Sequence, residues 1–214
     1  MPDLSNLPEY YWQIPYGDDE NDSYNENALR SSTLNDDIKS VGWSGLILKN
    51  KSGNYTDNAI DNIHPSYDSL SDLIQTYRKF KGKFTEVSEY LPNTTSFIKN
   101  DLEKYFTIGH AYILKVTSHG FIKEHRDIPA KYNSKIHKNY NMLNTFMMPI
   151  NDPSNSYFIL NKKQMPLAQN RVLWFNSSLP HLYFNMSNKS KYFLLFTGLA
   201  KKNWIEMTVG NMLH

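Results

Sequence analysis

The second half of this chain limits its fold more than any other feature. After Gly109 come "AYILKVT", "MLNTFMMPI", "SYFIL", "RVLWF", "HLYFNM" and "KYFLLFTGL", each short and largely aromatic or β-branched. Asn, Pro, Ser and Gly separate them, which is the pattern of strands joined by turns. "SVGWSGLILKN" adds an earlier strand over Val41 to Lys49. Helical periodicity lies between. Leu70, Leu73, Ile74, Tyr77 and Phe80 fall at the i, i+3, i+4, i+7 spacing, so "SLSDLIQTYRKF" predicts an amphipathic helix. After "LPNTT", Phe97, Ile98, Leu102, Tyr105 and Phe106 share a face, with Asn93 or Thr94 available as a cap. Helices followed by evenly spaced strands predict an α+β domain built on an antiparallel barrel or a double-sheet jelly roll.

With 214 residues the chain suits one domain able to bury a proper core. Residues 1–40 read as an N-terminal extension, partly mobile around Gly17 to Asn27, with Tyr10, Tyr11, Trp12 and Tyr16 packing on the domain. Residues 41–214 read as the domain itself, with a helical part over about 68–107 and core strands over about 110–200. The segment from Lys201 to His214 carries no assignment. A net charge of +2 from scattered lysines leaves no electrostatic footprint for nucleic acid. The absence of cysteine removes disulfides, thiolate nucleophiles and cysteine–zinc sites. The first residues lack the basic start and apolar stretch of a secretory signal, and no run nears the roughly 18 apolar residues of a membrane span. A cytoplasmic protein is the expectation, with no membrane or nucleic-acid partner. The Asn-x-Ser/Thr triplets at Asn54, Asn93 and Asn185 then carry no meaning. Oligomeric state is not readable.

The chemistry concentrates in "GFIKEHRDIP". Alternate residues of an extended strand face the same side, so the His125 imidazole and the Asp127 carboxylate converge on one volume. His181 follows a proline 54 residues beyond Asp127 and opens another strand; Lys191 comes ten residues later at the next strand start. Two imidazoles and one carboxylate on one face of Fe(II) leave three positions open, the arrangement of non-haem oxygenases. Two of those positions can chelate the oxo-acid end of 2-oxoglutarate, and the third is left for O2. The far carboxylate of that cosubstrate must be desolvated, which is costly without a cation. Lys191 can supply one, with a hydrogen bond from Ser187 or a buried Tyr112.

These residues resemble the aspartyl/asparaginyl β-hydroxylase-like branch of the Fe(II)/2-oxoglutarate-dependent oxygenases. The resemblance runs from about Leu91 to Leu199. It is carried by "LPNTTSFIKNDLEKYF", by "AYILKVTSHGFIKEHRD", by "FMMPI" and by "VLWFNSSLPH" with Asn185, Ser187 and Lys191 behind it. It implies a double-stranded β-helix, the cupin-like jelly roll, with flanking helices. It also implies His125, Asp127 and His181 as iron ligands and Lys191 as the anchor of the distal carboxylate. The branch usually has arginine at that last position, and lysine cannot make the bidentate fork, though it still neutralises a carboxylate. Thr145 and Met147 stand where the branch often carries Arg or His; Asn144 is the candidate left for the rest of the cosubstrate pocket. Arg126, inside the triad, and Arg171, at the start of a site-bearing strand, are candidates to meet a substrate carboxylate.

The activity so implied is a dioxygenase that couples decarboxylation of 2-oxoglutarate to hydroxylation of an unactivated C–H. The substrate would be a small molecule or a peptide, with the reacting unit an amino acid or an Asp, Asn or Pro residue. Because Asp127 keeps the carboxylate, hydroxylation is favoured over halogenation. Two other classes remain open: a catalytically idle jelly-roll module, and a cupin-like metalloenzyme without an oxo-acid cosubstrate, which would usually add a further ligand. His110 and His119, flanking the strand that leads to the site, are read as surface residues, and His64 in a loop before a proline, His137 among Lys, Asn and Tyr and the terminal His214 are given no ligand role; Trp174, Phe175, Met147 and Met148 are read as core. "PAKYNSKIHKNYN" is long and basic enough to form a lid over an acidic group.

Overall fold

Nine antiparallel strands form one curled sheet in a computed structural model that describes residues 4, 7–12, 40–50, 52–56, 82–127, 143–177 and 179–201. The strands are β1 (Val41–Asn50), β2 (Lys83–Phe84), β3 (Phe106–His125), β4 (Leu143–Pro149), β5 (Ser156–Leu160), β6 (Lys163–Met165), β7 (Leu173–Phe175), β8 (His181–Asn185) and β9 (Lys191–Ala200). Their order is β6-β5-β8-β3-β9-β4-β7, with β1 also on β3 and β2 beyond it. The helix expected over 69–80, the segment Gly17 to Asn27 and the segment Lys131 to Asn141 lie outside the described residues.

The twenty residues of β3 organise the jelly roll. Phe106 to Val116 pair with β9, and from Phe121 to His125 the same edge of β3 passes to β8. The strand bends between these stretches, where His119 adopts a left-handed φ of 56°. Gly120 lies in this bend, and a methyl group there would sit 2.7 Å from the Gly42 carbonyl oxygen and 2.8 Å from a Val116 methyl. Backbone cannot yield as a side-chain tip can. Gly120→Ala is therefore expected to cost about 1–3 kcal/mol as an overpacking substitution. A thermal melt should register it as a fall of several degrees.

The bend gives the sheet two faces with separate cores. Tyr112, Leu114, Val116, Tyr183 and Phe193 line the inside of the roll. Ala111, Ile113, Leu194 and Phe196 face outward and are covered by Val87, Leu91, Ile98 and Leu102. Strands buried on both faces read as continuous apolar runs, which is why "YILKV" shows no clean alternation. Tyr11 is buried in the outer cluster, and Trp12 packs against it and lies 5.9 Å from the Tyr192 ring. The aromatic N-terminal segment thus seals the same face.

The second predicted helix is shorter than its periodicity suggests. It is α1 (Pro92–Asn100), and it gives way to a 3-10 turn, Leu102–Lys104. Phe106, counted on the helical face, instead opens β3 and is fully buried. The helix starts at Pro92, whose fixed φ suits a first helical position, behind Leu91; Asn93 and Thr94 lie inside the helix and do not cap it. Thr95 Oγ1 instead donates to the Ser88 carbonyl at 2.8 Å, tying α1 to the preceding turn.

Candidate metal centre

The sheet makes His125 and His181 direct cross-strand neighbours, one ending β3 and the other beginning β8. Their ring centroids lie 4.3 Å apart. Asp127 follows just beyond β3, where its backbone N–H donates to the Ser177 carbonyl at 3.0 Å. Its Oδ1 lies 3.5 Å from His125 Nε2 and 3.6 Å from His181 Nε2. One donor atom from each residue thus falls within 4.8 Å of the others.

The rings are oriented as metal ligands require. Nδ1 of His125 lies 2.9 Å from the Lys123 carbonyl, and Nδ1 of His181 lies 2.9 Å from the Leu179 carbonyl. A carbonyl can only accept, so each Nδ1 carries a hydrogen, which leaves each Nε2, facing Asp127, as the atom a metal can take. Such backbone partners fix tautomer and ring plane at metal sites. The residues present therefore fit a divalent metal held by two imidazoles and a carboxylate.

Residues 15–200 match the family described as aspartyl/asparaginyl beta-hydroxylase. The chain belongs to that family. No curated protein matches it. Among solved structures, a 2OG-Fe(II) oxygenase family oxidoreductase from Burkholderia pseudomallei shares 11% identity over 73% of this chain and 66% of that one, at a TM-score of 0.41. A predicted oxalate decarboxylase from Thermotoga maritima shares 15% identity over 43% and 67%, at 0.32. A cupin-superfamily sugar phosphate isomerase from Silicibacter pomeroyi shares 8% over 42% and 49%, at 0.28. The chain thus spans about half the length of the last of these.

In this hydroxylase-family chain the two histidines titrate in opposite directions. Burial first, and the neighbouring His181 second, lower His125 to about 4. Burial also opposes charge on His181, but the Asp127 carboxylate outweighs it and leaves His181 raised above its ordinary 6.5. A metal must displace the proton that His181 holds, whereas His125 is already neutral well below pH 6. Metal affinity is therefore expected to fall about tenfold per pH unit below the His181 titration, with a slope of one proton. Two protons released per metal at pH 5–6, by calorimetry in buffers of different ionisation heat, would contradict this ordering.

The triad forms one wall of a cleft inside the roll, with Leu114, Met147, Phe158 and Phe175 among its apolar walls. Tyr112 lines the cleft as expected, and so does Trp43. Lys191 is buried and belongs to the same alternating set of β9 as Phe193 and Leu195. Its register partner on β3 is Val116, so it lies well below the triad, and its Nζ donates to the Asp152 carbonyl at 2.7 Å.

The other candidates scatter. Ser187 sits in the β8–β9 turn, where its hydroxyl lies 2.7 Å from Asn185 Oδ1 and 2.9 Å from the Lys189 carbonyl. Its role there is to brace the turn. Asn144 lies in β4 opposite Gly198, and its side chain falls outside the described ones. Arg126 is half-buried beside the triad, where its charge opposes protonation of His181. Arg171 is exposed in a turn whose backbone closes on Ala168. His110, read as a surface residue, is buried with its ring 4.9 Å from Tyr112. Trp174, read as core, is 37% exposed, whereas Phe175 is buried. His64, His137 and His214 lie outside the described residues.

Tyr183 is the site residue that sequence reasoning passed over. It stands two positions after His181 on the same face of β8, and it lines the cleft. The period-two rule applied from His181 points to it.

Proposed function

We propose that this chain is a non-haem Fe(II)/2-oxoglutarate-dependent dioxygenase that hydroxylates an unactivated C–H of an amino acid or of an aspartyl, asparaginyl or prolyl residue in a peptide. The observation that carries the reading is the convergence of two Nε2 atoms and one carboxylate oxygen, with both Nδ1 atoms anchored to backbone carbonyls. Bound there, iron with 2-oxoglutarate and O2 would supply the oxidising chemistry. The chain's own contribution is placement and dryness. His125 and His181 hold neutral rings in fixed planes, and Asp127 offsets part of the metal's charge.

The apolar walls keep water from the reacting centre and strengthen every polar contact made inside it. Lys191, buried below the triad, offers the positive charge that a distal carboxylate needs. Arg126, beside the triad, is suited to an acidic group on the substrate.

The test is anaerobic addition of Fe(II) and 2-oxoglutarate, watching for the charge-transfer band of the chelate. A screen for succinate release over free amino acids and Asp-, Asn- and Pro-containing peptides follows. A band with substrate-dependent succinate supports the reading. No band would leave an idle jelly-roll module, and metal-dependent turnover without 2-oxoglutarate would indicate a cupin-like enzyme of another kind.

A further inference from the structure

The connection from β7 to β8 touches two of the three metal-facing residues. Its Ser177 carbonyl accepts from the Asp127 N–H at 3.0 Å, and its Leu179 carbonyl lies 2.9 Å from His181 Nδ1. At the end of β7 the Phe175 ring stands edge-on to the His181 ring at 5.4 Å. The connection also folds back on itself, since the Leu179 N–H donates to the Asn176 carbonyl at 3.1 Å. Asp127 needs such a hold. Strand β3 ends at His125, so the Asp127 backbone lies beyond the ladder that fixes the two histidines.

A buried pair of hydroxyls ties this connection to the body of the sheet. Ser177 Oγ and Thr145 Oγ1 share a hydrogen bond at 2.9 Å, and the two residues are 3% and 6% exposed. Thr145 sits in β4 between Thr197 of β9 and Phe175 of β7, so ladders on both sides fix its place. Stability alone does not call for such a pair, because replacing both partners by apolar groups of the same shape can be nearly neutral. What a satisfied buried pair adds is direction and rigidity.

We infer that Thr145 and Ser177 are positioning residues for the metal centre. Their hydrogen bond fixes the β7–β8 connection against β4, and through it the Asp127 main chain and the His181 ring plane. The family resemblance marked Thr145 only as a departure; the geometry gives its hydroxyl this task. The inference rests on the triad as a metal site and is independent of the cosubstrate.

The experiment titrates Co(II), whose visible absorption reports ligand geometry, into whole chains of wild type, Thr145→Ser, Thr145→Val and the double variant Thr145→Val, Ser177→Ala. Each metal-free chain is also melted. Thr145→Ser keeps the hydroxyl and should bind cobalt as wild type does. Thr145→Val leaves the Ser177 hydroxyl without its partner and should melt lower. The double variant removes both hydroxyls, so its melting temperature should return towards wild type. Cobalt affinity should nonetheless fall about tenfold in both, as when a metal ligand loses an outer partner, and the band should change shape. Wild-type affinity and an unchanged band in the double variant overturn the inference. Affinity that simply follows melting temperature across the series overturns it too, because that describes stability and not positioning. A wild-type chain that takes up no cobalt fails differently: the triad is then no metal site, and this inference falls with it.

Discussion

Replacing Asp127 by alanine is expected to lower Fe(II) affinity by about a hundredfold or more, since losing only an outer partner of a metal ligand already costs about 10–100-fold. Substrate-dependent succinate release should fall with it. Asp127 supplies the site's single anionic donor among the described residues. The loop that carries it is held independently, by its own N–H on the Ser177 carbonyl. Truncation should therefore leave the fold in place.

The histidines predict a second signature of the same variant. His181 is raised above 6.5 because the carboxylate outweighs burial. Without the carboxylate, burial and the Arg126 charge are opposed only by the Leu179 carbonyl, and the imidazole stays neutral to lower pH. The one-proton slope of metal affinity that wild type shows below its His181 titration should then flatten. A melt, a metal titration and its pH dependence separate these outcomes. Intact iron affinity in the alanine variant would remove Asp127 from the metal site.

Much of this site was legible in the chain, for a definite reason. "HRD" places two donors on one side of a strand through alternation alone, and a proline before His181 marks the start of another strand. What no local rule supplies is register. His125 and His181 oppose each other only because β8 takes over the edge of β3 that β9 holds further up, after the bend at Gly120. Spacing likewise nominated Ser187, but hydrogen bonding shows its hydroxyl serving the turn. Tyr183 was missed because tyrosine in "HLYFN" looks like any strand aromatic; its place in the cleft becomes visible only when its surroundings are known.

The fold shows the same division. Strands β1, β4, β5, β8 and β9 were readable from composition and turn residues, while β6 was not. "KQM" is polar at an edge and pairs only through a tight two-residue turn, in which Asn161 and Lys162 take φ of 48° and 65°. Asn-Lys lacks the glycine that usually announces such a hairpin. His110 was misjudged for a different reason: β3 is covered on both faces, so a polar residue within it is buried whichever way it points.

Lys191→Met should raise the 2-oxoglutarate requirement by about a hundredfold or more while leaving iron affinity unchanged, because removing one partner of a buried ion pair costs about 3–5 kcal/mol. Methionine keeps the apolar stem of the lysine, so the packing beside Phe193 survives. The hydrogen bond that the variant gives up is cheap to replace. Asp152 is exposed, so water can take the place of the ammonium on its carbonyl.

That difference separates the two roles Lys191 could have. A lysine that only pins the turn to β9 predicts a lower melting temperature and an unmoved 2-oxoglutarate constant. A lysine that neutralises a carboxylate predicts the reverse, and it predicts that Lys191→Arg retains or tightens cosubstrate binding, since the guanidinium adds the bidentate fork that the ammonium lacks. Titrating 2-oxoglutarate against wild type, methionine and arginine variants, each with its melt, decides between them. A methionine variant that binds the cosubstrate as wild type does would free Lys191 of that role, even with the metal triad intact.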